Sequence, residues 1–375
     1  MNPATPPTHE PLRGQSILVV GGAGFIGSNL VRTAVAQGCH RVVVVDNLLS
    51  AERANLPKDP LVEFREGSIA DDPVLRGVAD EFDYIFHLAT YHGNQSSLAD
   101  PLADHDNNLI TTLKLYERVK GFSRLRKLVY AASGCTLAPH TADQAQATAE
   151  EGRVPLDLDT PYQISKVVGE FYSVYYHRRH HLPAVRARFQ NVYGPGEILG
   201  AGRWRGTPET VWRNVVPTFI YRALQHRSLR LENGGRATRD FIYAEDIVRG
   251  LLLCAAFGQP GDVYNLASGV ETSIRELARA INRLTGNSAP LEAGPDRDWD
   301  RSLRRFGSTA KARRVLGFEA TVALTEGLRL TIEWTRRNLP LVESCIRRHT
   351  ERLREASGPA ETHLLQAVVP LPGGV

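Results

Sequence analysis

The sequence predicts an α/β fold, a doubly wound parallel sheet joined to a smaller C-terminal α/β substrate-binding domain. Three observations predict it: a glycine-rich turn between an apolar strand and an amphipathic helix, a second apolar strand ending in an acid, and short β-branched runs that keep alternating with helical stretches. The run Ser16-Ile-Leu-Val-Val20 leads into Gly21-Gly-Ala-Gly-Phe-Ile-Gly27, and residues 28–35 continue with helical spacing. Arg41-Val-Val-Val-Val45 is the second strand, closed by Asp46. Strand, glycine turn, helix, strand and acid form a complete unit for cradling a dinucleotide. The glycines let the backbone turn tightly and approach a pyrophosphate, whose charge meets the N–H groups at the helix start. A carboxylate at Asp46 would bind a ribose 2′-hydroxyl and repel a 2′-phosphate, so NAD is expected rather than NADP.

Leu61–Arg65, Tyr84–Leu88, Lys127–Ala131 and Pro183–Phe189 continue the series of expected strands, with right-handed crossovers between them. Beyond Asn191 the loops lengthen, Gly and Pro recur, and the strand candidates Leu229–Leu231 and Asp262–Asn265 are short. The expected organisation is a flexible arm over 1–13 and a Rossmann-type NAD-binding domain over 14–190, to which later segments return. A substrate-binding domain over 191–340 and a C-terminal helix and tail over 341–375 complete it.

At 375 residues the chain is long enough for one large or two moderate domains. Its formal charge of +4 comes from interleaved acids and bases, which does not point to nucleic acid. The short clusters Arg178-Arg179 and Arg304-Arg305 are expected on solvated helix faces. Cys39, Cys135, Cys254 and Cys345 show neither paired nor metal-ligand spacing, so a reducing compartment and no metal are expected. No signal peptide and no apolar run of about 20 residues stands out, which implies a soluble, cytoplasmic protein with no membrane partner.

Tyr162 and Lys166 stand four apart, and on a helix that spacing puts both on one face. An ammonium beside a phenol favours the phenolate and lowers its pKa toward neutrality. Next to a nicotinamide, such a tyrosine can take the proton of a sugar hydroxyl while the carbon gives up hydride. Ser133, at the end of the 127–132 strand, would hydrogen-bond the same hydroxyl. A Tyr–Lys pair at this spacing is common by itself; its place downstream of a dinucleotide fingerprint gives it meaning.

With these motifs in this order, the chain resembles the extended short-chain dehydrogenases/reductases that act on nucleotide sugars, the epimerase/dehydratase group, over residues 15–336. The resemblance implies NAD contacts from Gly21, Gly24, Phe25, Ile26 and Gly27 in the turn, and from Asp46, Asn47 and Ser50 in the acid loop. It adds Ser68 and Ile69, then Leu88, Ala89 and Thr90 after the strand end His87-Leu-Ala89. Ser97, Pro101 and Asn108 keep the family's spacing, and Asn108 is an expected cofactor residue. Ser133, Tyr162 and Lys166 match the catalytic trio, with Tyr162 and Lys166 also touching the cofactor. For the nucleotide-diphosphate sugar, the resemblance implies His92, Asn94, Ser133, Asn191 in Arg188–Gly196, Asn214, Arg239 in Thr238–Tyr243, and Arg297 and Arg301 in 296–301. Leu316-Gly-Phe and Glu326-Gly-Leu resemble the family's C-terminal helices. A homodimer would form through the helix after Asn108 and the one carrying Tyr162, although burial within the monomer explains the same apolar pattern at 109–116 and 167–174.

The departures narrow the chemistry. Dehydratases of the family carry Asp and Glu in the two positions after the trio's hydroxyl residue, and decarboxylases carry Glu in the second; here these are Gly134 and Cys135. What remains is 4-epimerisation: Tyr162 assists oxidation of C4 to a transient ketone and hydride returns to the opposite face. The rivals are a nucleotide-sugar ketoreductase or dehydrogenase, then a 4,6-dehydratase or decarboxylase, and remotely a non-catalytic binding protein. Cys135 is a reactive thiol or a small packed side chain, and His92 a polar contact or a second proton relay. Ser68 stands where the family usually has an acid for adenine, and Glu232 where many members stack an aromatic. Trp204, in the insertion Gly200–Gly206, either supplies that stacking surface or anchors its loop. Tyr91, Gly93, Asn94 and Gln95 form a polar patch suited to a hydroxyl-rich substrate.

Overall fold

The structure is a computed structural model that describes residues 10–134, 146–154, 156–294 and 303–356. The first half runs β1 (Ser16–Val20), α1 (Phe25–Ala36), β2 (Arg41–Asp46), β3 (Val62–Glu66), α2 (Asp72–Arg76) and β4 (Tyr84–His87). It goes on through α3 (Asn94–Ala99), α4 (Pro101–Asp104), α5 (Thr111–Val119), β5 (Lys127–Ser133), α6 (Pro161–His180) and β6 (Ala184–Phe189). The second half is β7 (Asn191–Tyr193), α7 (Val215–Leu224), β8 (Leu229–Leu231), β9 (Thr238–Tyr243), α8 (Ala244–Phe257) and β10 (Val263–Leu266). Then come β11 (Glu271–Ser273), α9 (Ile274–Thr285), β12 (Leu291–Ala293), α10 (Ala310–Leu316), α11 (Leu324–Arg337) and α12 (Leu339–Arg347).

The valine run of β2 shows why the main sheet forms. Val42 and Val44 pack with Leu30 and Val31 of α1 and Leu251 of α8, whereas Val43 and Val45 pack on the other face with Leu115 and Tyr116 of α5. Alternate residues thus bury opposite faces, as a parallel strand covered on both sides requires. The sheet has the order β3-β2-β1-β4-β5-β6-β10, with every pairing parallel. The strand order reverses between β1 and β4, and ligands of such sheets bind outside the carboxyl ends at that point.

Not all of the second half lies apart from this sheet. Val263 of β10 pairs with Arg186 of β6, and α8 packs beside α1. The rest gathers on a three-stranded sheet, β11-β9-β7, and a pair, β12-β8, around a core that includes Phe219, Leu277 and Ile332. A separate cluster joins Ile198, Leu199 and Val211 to Val342, Cys345 and Ile346 of α12. Two sequence expectations need correcting. Leu12, inside the stretch expected to be a loose arm, is fully buried against the main core. Arg304 and Arg305 are not on a helix: Arg304 sits beside Thr238 in an isolated bridge and pairs with Glu271 at 2.5 Å.

α6 lies so close to β5 that a Cβ on Gly169 would fall 2.2 Å from Tyr130 Oη. Tyr130 is buried against His87 and Tyr116, so it has nowhere to go. Gly169→Ala should therefore lift α6 from the sheet and cost about 1–3 kcal/mol, the usual penalty of overpacking. Urea unfolding checks this, and an unchanged midpoint would show that the helix shifts without cost.

Candidate active site

A cleft of about 900 Å³ opens at the reversal point and runs from the glycine turn to the second half of the chain. At one end the backbone is packed too tightly for side chains. Gly21 has a φ of +85°, and a Cβ there would lie 2.5 Å from Ala89 N. On Gly27 it would lie 2.2 Å from Gly21 O. Gly24 caps α1 without any side-chain acceptor, leaving the first-turn amides to an anionic ligand. Asp46 Oδ2 accepts from Ala23 N at 3.0 Å and Oδ1 from Leu48 N at 2.9 Å. Burial pushes its pKa up and these amides oppose the rise. A carboxylate has about four acceptor sites, so capacity remains for a ribose. These residues fit a dinucleotide. Phe25, Ile26, Asn47, Ser50, Ile69, Leu88, Ala89 and Thr90 line the same end. Ser68 lines it too, while its Oγ accepts from Ala70 N at 3.1 Å and shapes the turn.

Asn108 is placed differently from expectation: it is buried behind the wall. Its Oδ1 accepts from Tyr91 N at 2.6 Å and Thr90 Oγ1 at 2.9 Å, and its Nδ2 donates to Asp104 at 2.8 Å. It belongs to a π-helical stretch, His105–Ile110, and holds the 90–91 backbone in place.

The trio converges on the middle of the cleft. Ser133 ends β5, and Tyr162 and Lys166 lie in the first two turns of α6, whose start is capped by Thr160. Thr160 Oγ1 reaches Asn94 Oδ1 at 3.2 Å, and Tyr162 N donates to Ser97 Oγ at 3.3 Å, which ties α3 to this helix end. Lys166 is only 3% exposed; its Nζ donates to Ala131 O at 3.0 Å and stands 5.9 Å from the Tyr162 ring centroid. His87 bonds Thr112 Oγ1 at 2.9 Å, and burial with the Lys166 charge holds its pKa at about 3, so it is neutral.

The far end is polar. Asn191, Asn214, Asn94, His92 and Arg239 all line it, as do Glu232, Trp212 and Arg305. Trp204 instead packs near His349, 6.0 Å between ring centroids, in the α12 cluster, so it anchors its loop. Arg297, Arg301 and Cys135 lie outside the described residues. Arg305 and Glu197 are not legible in the sequence: the first looks like surface charge, and the second belongs to no motif. His92 Nε2 meets Asn214 Oδ1 at 3.3 Å, and Asn214 Nδ2 donates to Glu197. Burial, with Arg213 and Arg205 nearby, holds the His92 pKa at about 4. Burial also pushes the Glu197 carboxyl up to about 7, against the pull of Asn214 and Arg213.

This shift gives a pH signature. An unperturbed glutamate titrates near 4.5, so between that value and about 7 the folded chain keeps a proton that the unfolded chain releases. The resulting stability is complete below 4.5 and lost as pH rises through 7. Glu197→Gln should stabilise the protein at pH 8 by on the order of 2–3 kcal/mol and leave it unchanged at pH 4.5. Urea melts at the two pH values test this, and parallel curves would exclude a buried, titrating Glu197.

Residues 17–267 match the NAD dependent epimerase/dehydratase family. The chain is similar to the Bordetella bronchiseptica enzyme WbmF, solved in complex with NAD+ and UDP: 58% identity, TM-score 0.83, 93% of this chain and 100% of that one covered. It is 34% identical over 324 residues to the UDP-glucose 4-epimerase of Mycolicibacterium smegmatis, covering 85% of this chain and 98% of that protein. It is 30% identical over 343 residues to UDP-glucuronic acid decarboxylase 5 of Arabidopsis thaliana, covering 88% and 94%. With the glycine cradle, Asp46 and the Ser133, Tyr162 and Lys166 set around one cleft, the chain belongs to the NAD dependent epimerase/dehydratase family, as an NAD-binding, nucleotide-sugar-modifying enzyme.

Proposed function

We propose that the enzyme is a nucleotide-sugar 4-epimerase. The observation that carries this reading is the residue next to Ser133. Gly134 stands where a dehydratase keeps an acid, and the Gln190 amide occupies the space in front of it, with Nε2 2.2 Å from where a Cβ would lie. The described cleft therefore offers the equipment for moving one hydride and one proton, with no second acid beside the trio. NAD, held by the glycine turn and Asp46, would supply the hydride acceptor and donor. Lys166, held by the Ala131 carbonyl, favours the Tyr162 phenolate, and that phenolate takes the proton of the sugar's C4 hydroxyl. Ser133 holds the same oxygen while the proton leaves and comes back. After the 4-keto sugar turns over, Tyr162 returns the proton and the site regains its starting state.

At the other end Asn191, Asn214, Arg239 and Arg305 would hold the diphosphate, since guanidinium groups bind it well. His92 and Asn94 would meet sugar hydroxyls. The WbmF complex with UDP supports a uridine nucleotide, and the epimerase named for Mycolicibacterium smegmatis supports inversion at C4. Incubation with UDP-, GDP-, ADP- and dTDP-sugars without added cofactor tests the proposal by mass spectrometry and NMR. An isomer of equal mass, inverted at C4, is expected. A change of two hydrogens that needs added cofactor would make it a dehydrogenase or ketoreductase; loss of water or carbon dioxide would make it a dehydratase or decarboxylase. Tyr162→Phe should lower kcat by about 10²–10⁴ while NAD stays bound, and full activity in that variant would sink the mechanism.

Cytoplasmic residence belongs to the same reading: Cys39, Cys254 and Cys345 are free thiols, as a reducing compartment leaves them. So does a homodimer. α6 exposes Ile164 (48%), Phe171 (57%) and Tyr175 (50%) at helical spacing, and Leu98 and Leu102 are exposed on the neighbouring helices. Phe171→Glu should convert a dimer to a folded monomer in light scattering; a wild-type protein already monomeric at micromolar concentration would contradict the expectation.

A further inference from the structure

Residues 196–213 border the sugar end of the cleft, yet most of their polar contacts with other segments go to the loop after β2. Arg203 Nη2 donates to Asn47 O at 2.8 Å and Arg203 N to Leu49 O at 3.0 Å. Arg213 Nη1 donates to Ser50 O at 3.0 Å, and its Nη2 turns back to Ala201 O at 2.8 Å. Gly202 N donates to Glu52 Oε1 at 3.0 Å, and Asn55 Nδ2 to Gly196 O at 2.9 Å. The two segments touch along their backbones: Gly202 has a φ of +83°, and a Cβ there would lie 2.3 Å from Leu49 O. A second layer clamps this contact from outside. Arg348 Nη1 donates to Glu52 at 2.7 Å, and His349 Nε2 bonds Gly200 O at 2.9 Å.

The loop so gripped begins directly after Asp46, the residue that addresses the adenosine ribose in a dinucleotide fold. Asn47, Leu49, Ser50 and Glu52 line the cleft from one side, and Ile198, Ala201 and Arg213 from the other. We propose that residues 196–213 are a strap that retains the adenosine half of NAD, with the half-buried Arg213 as the pin that positions the acid loop through Ser50. The cofactor leaves when the strap lifts from residues 47–55. Six hydrogen bonds and a side-chain-free contact at Gly202 then separate a resident cofactor from a freely exchanging one. The proposal rests on NAD occupying the glycine end of this cleft.

The test measures NAD retained per chain after gel filtration of the full-length protein, together with the NAD dissociation constant and the KM for NAD. Gly202→Ala drives a methyl into Leu49 O and should weaken NAD binding about tenfold or more. Arg203→Ala removes an exposed side chain with one bond to Asn47 and should weaken it about fivefold. Its urea midpoint should stay at the wild-type value, and the rise in KM for NAD should exceed any fall in kcat. Leu277→Ala serves as the control: it opens the separate core around α9, so it should lower the urea midpoint and keep its NAD. Wild-type retention in both strap variants would overturn the proposal, and so would equal loss of NAD in Leu277→Ala. A wild-type protein that binds no NAD would overturn the cofactor assignment itself, and the strap with it.

Discussion

One carboxylate organises much of this molecule. Asp46 accepts a backbone amide from the glycine turn through one oxygen and one from its own loop through the other. Its burial is costly, and those bonds offset the cost. The result is that two loops from adjacent strand ends share a fixed geometry. The glycine turn can then pack on Ala89, which sets the floor of the cleft, and the acid loop presents its carbonyls outward. Residues 200–213 read those carbonyls, and Asn214 continues directly from Arg213 into the polar end. A chain of backbone positions therefore runs from the cofactor cradle to the sugar-facing wall.

The catalytic helix depends on a different anchor. α6 carries Tyr162 and Lys166 near its start, and one turn beyond Lys166 it places Glu170 in the interior. Arg188 of β6 grips that carboxylate with a fork, Nε to Oε1 at 2.8 Å and Nη2 to Oε2 at 2.7 Å, and directs its remaining edge to Glu150 O at 3.0 Å. A buried pair of this kind is weak evidence for net stability, because desolvating both ions offsets the attraction. Its directional value is greater: a bidentate fork fixes the rotation of α6, and with it the face on which Tyr162 and Lys166 stand. Gly169 adds the distance, since Tyr130 tolerates no methyl between helix and strand.

The parts of the site legible in the sequence are those in which one residue type is required by local geometry. Gly21 and Gly27 have to be glycine because backbone occupies the place of a Cβ, and Tyr162 and Lys166 have to be four apart to share a helix face. The strands are legible for the same reason: alternate valines in β2 bury two faces. The features that escape are decided by long-range packing. Arg305 stands beside Arg304 and reads as solvated charge until Thr238 and Glu271 bring that segment to the cleft. Glu197 gains its character from burial against a segment some 17 residues on, through Asn214. Leu12 is one apolar residue in a Pro-rich stretch, and no period marks it for the core. β10 is short, so only its pairing with β6 reveals it as part of the main sheet.

Burial sets the charge pattern around the middle of the cleft. His87 and His92, with pKa values held at about 3 and 4, are neutral at physiological pH, and so carry no exchangeable positive charge beside Tyr162. Lys166 contributes to both depressions, and its own charge lies between the Ala131 carbonyl and the Tyr162 ring. Glu197, pushed up to about 7, is tied through Asn214 to the sugar-facing wall. With both imidazoles neutral, the positive charge that faces the Tyr162 ring is the Lys166 ammonium, so the proton chemistry at that point is set by this pair.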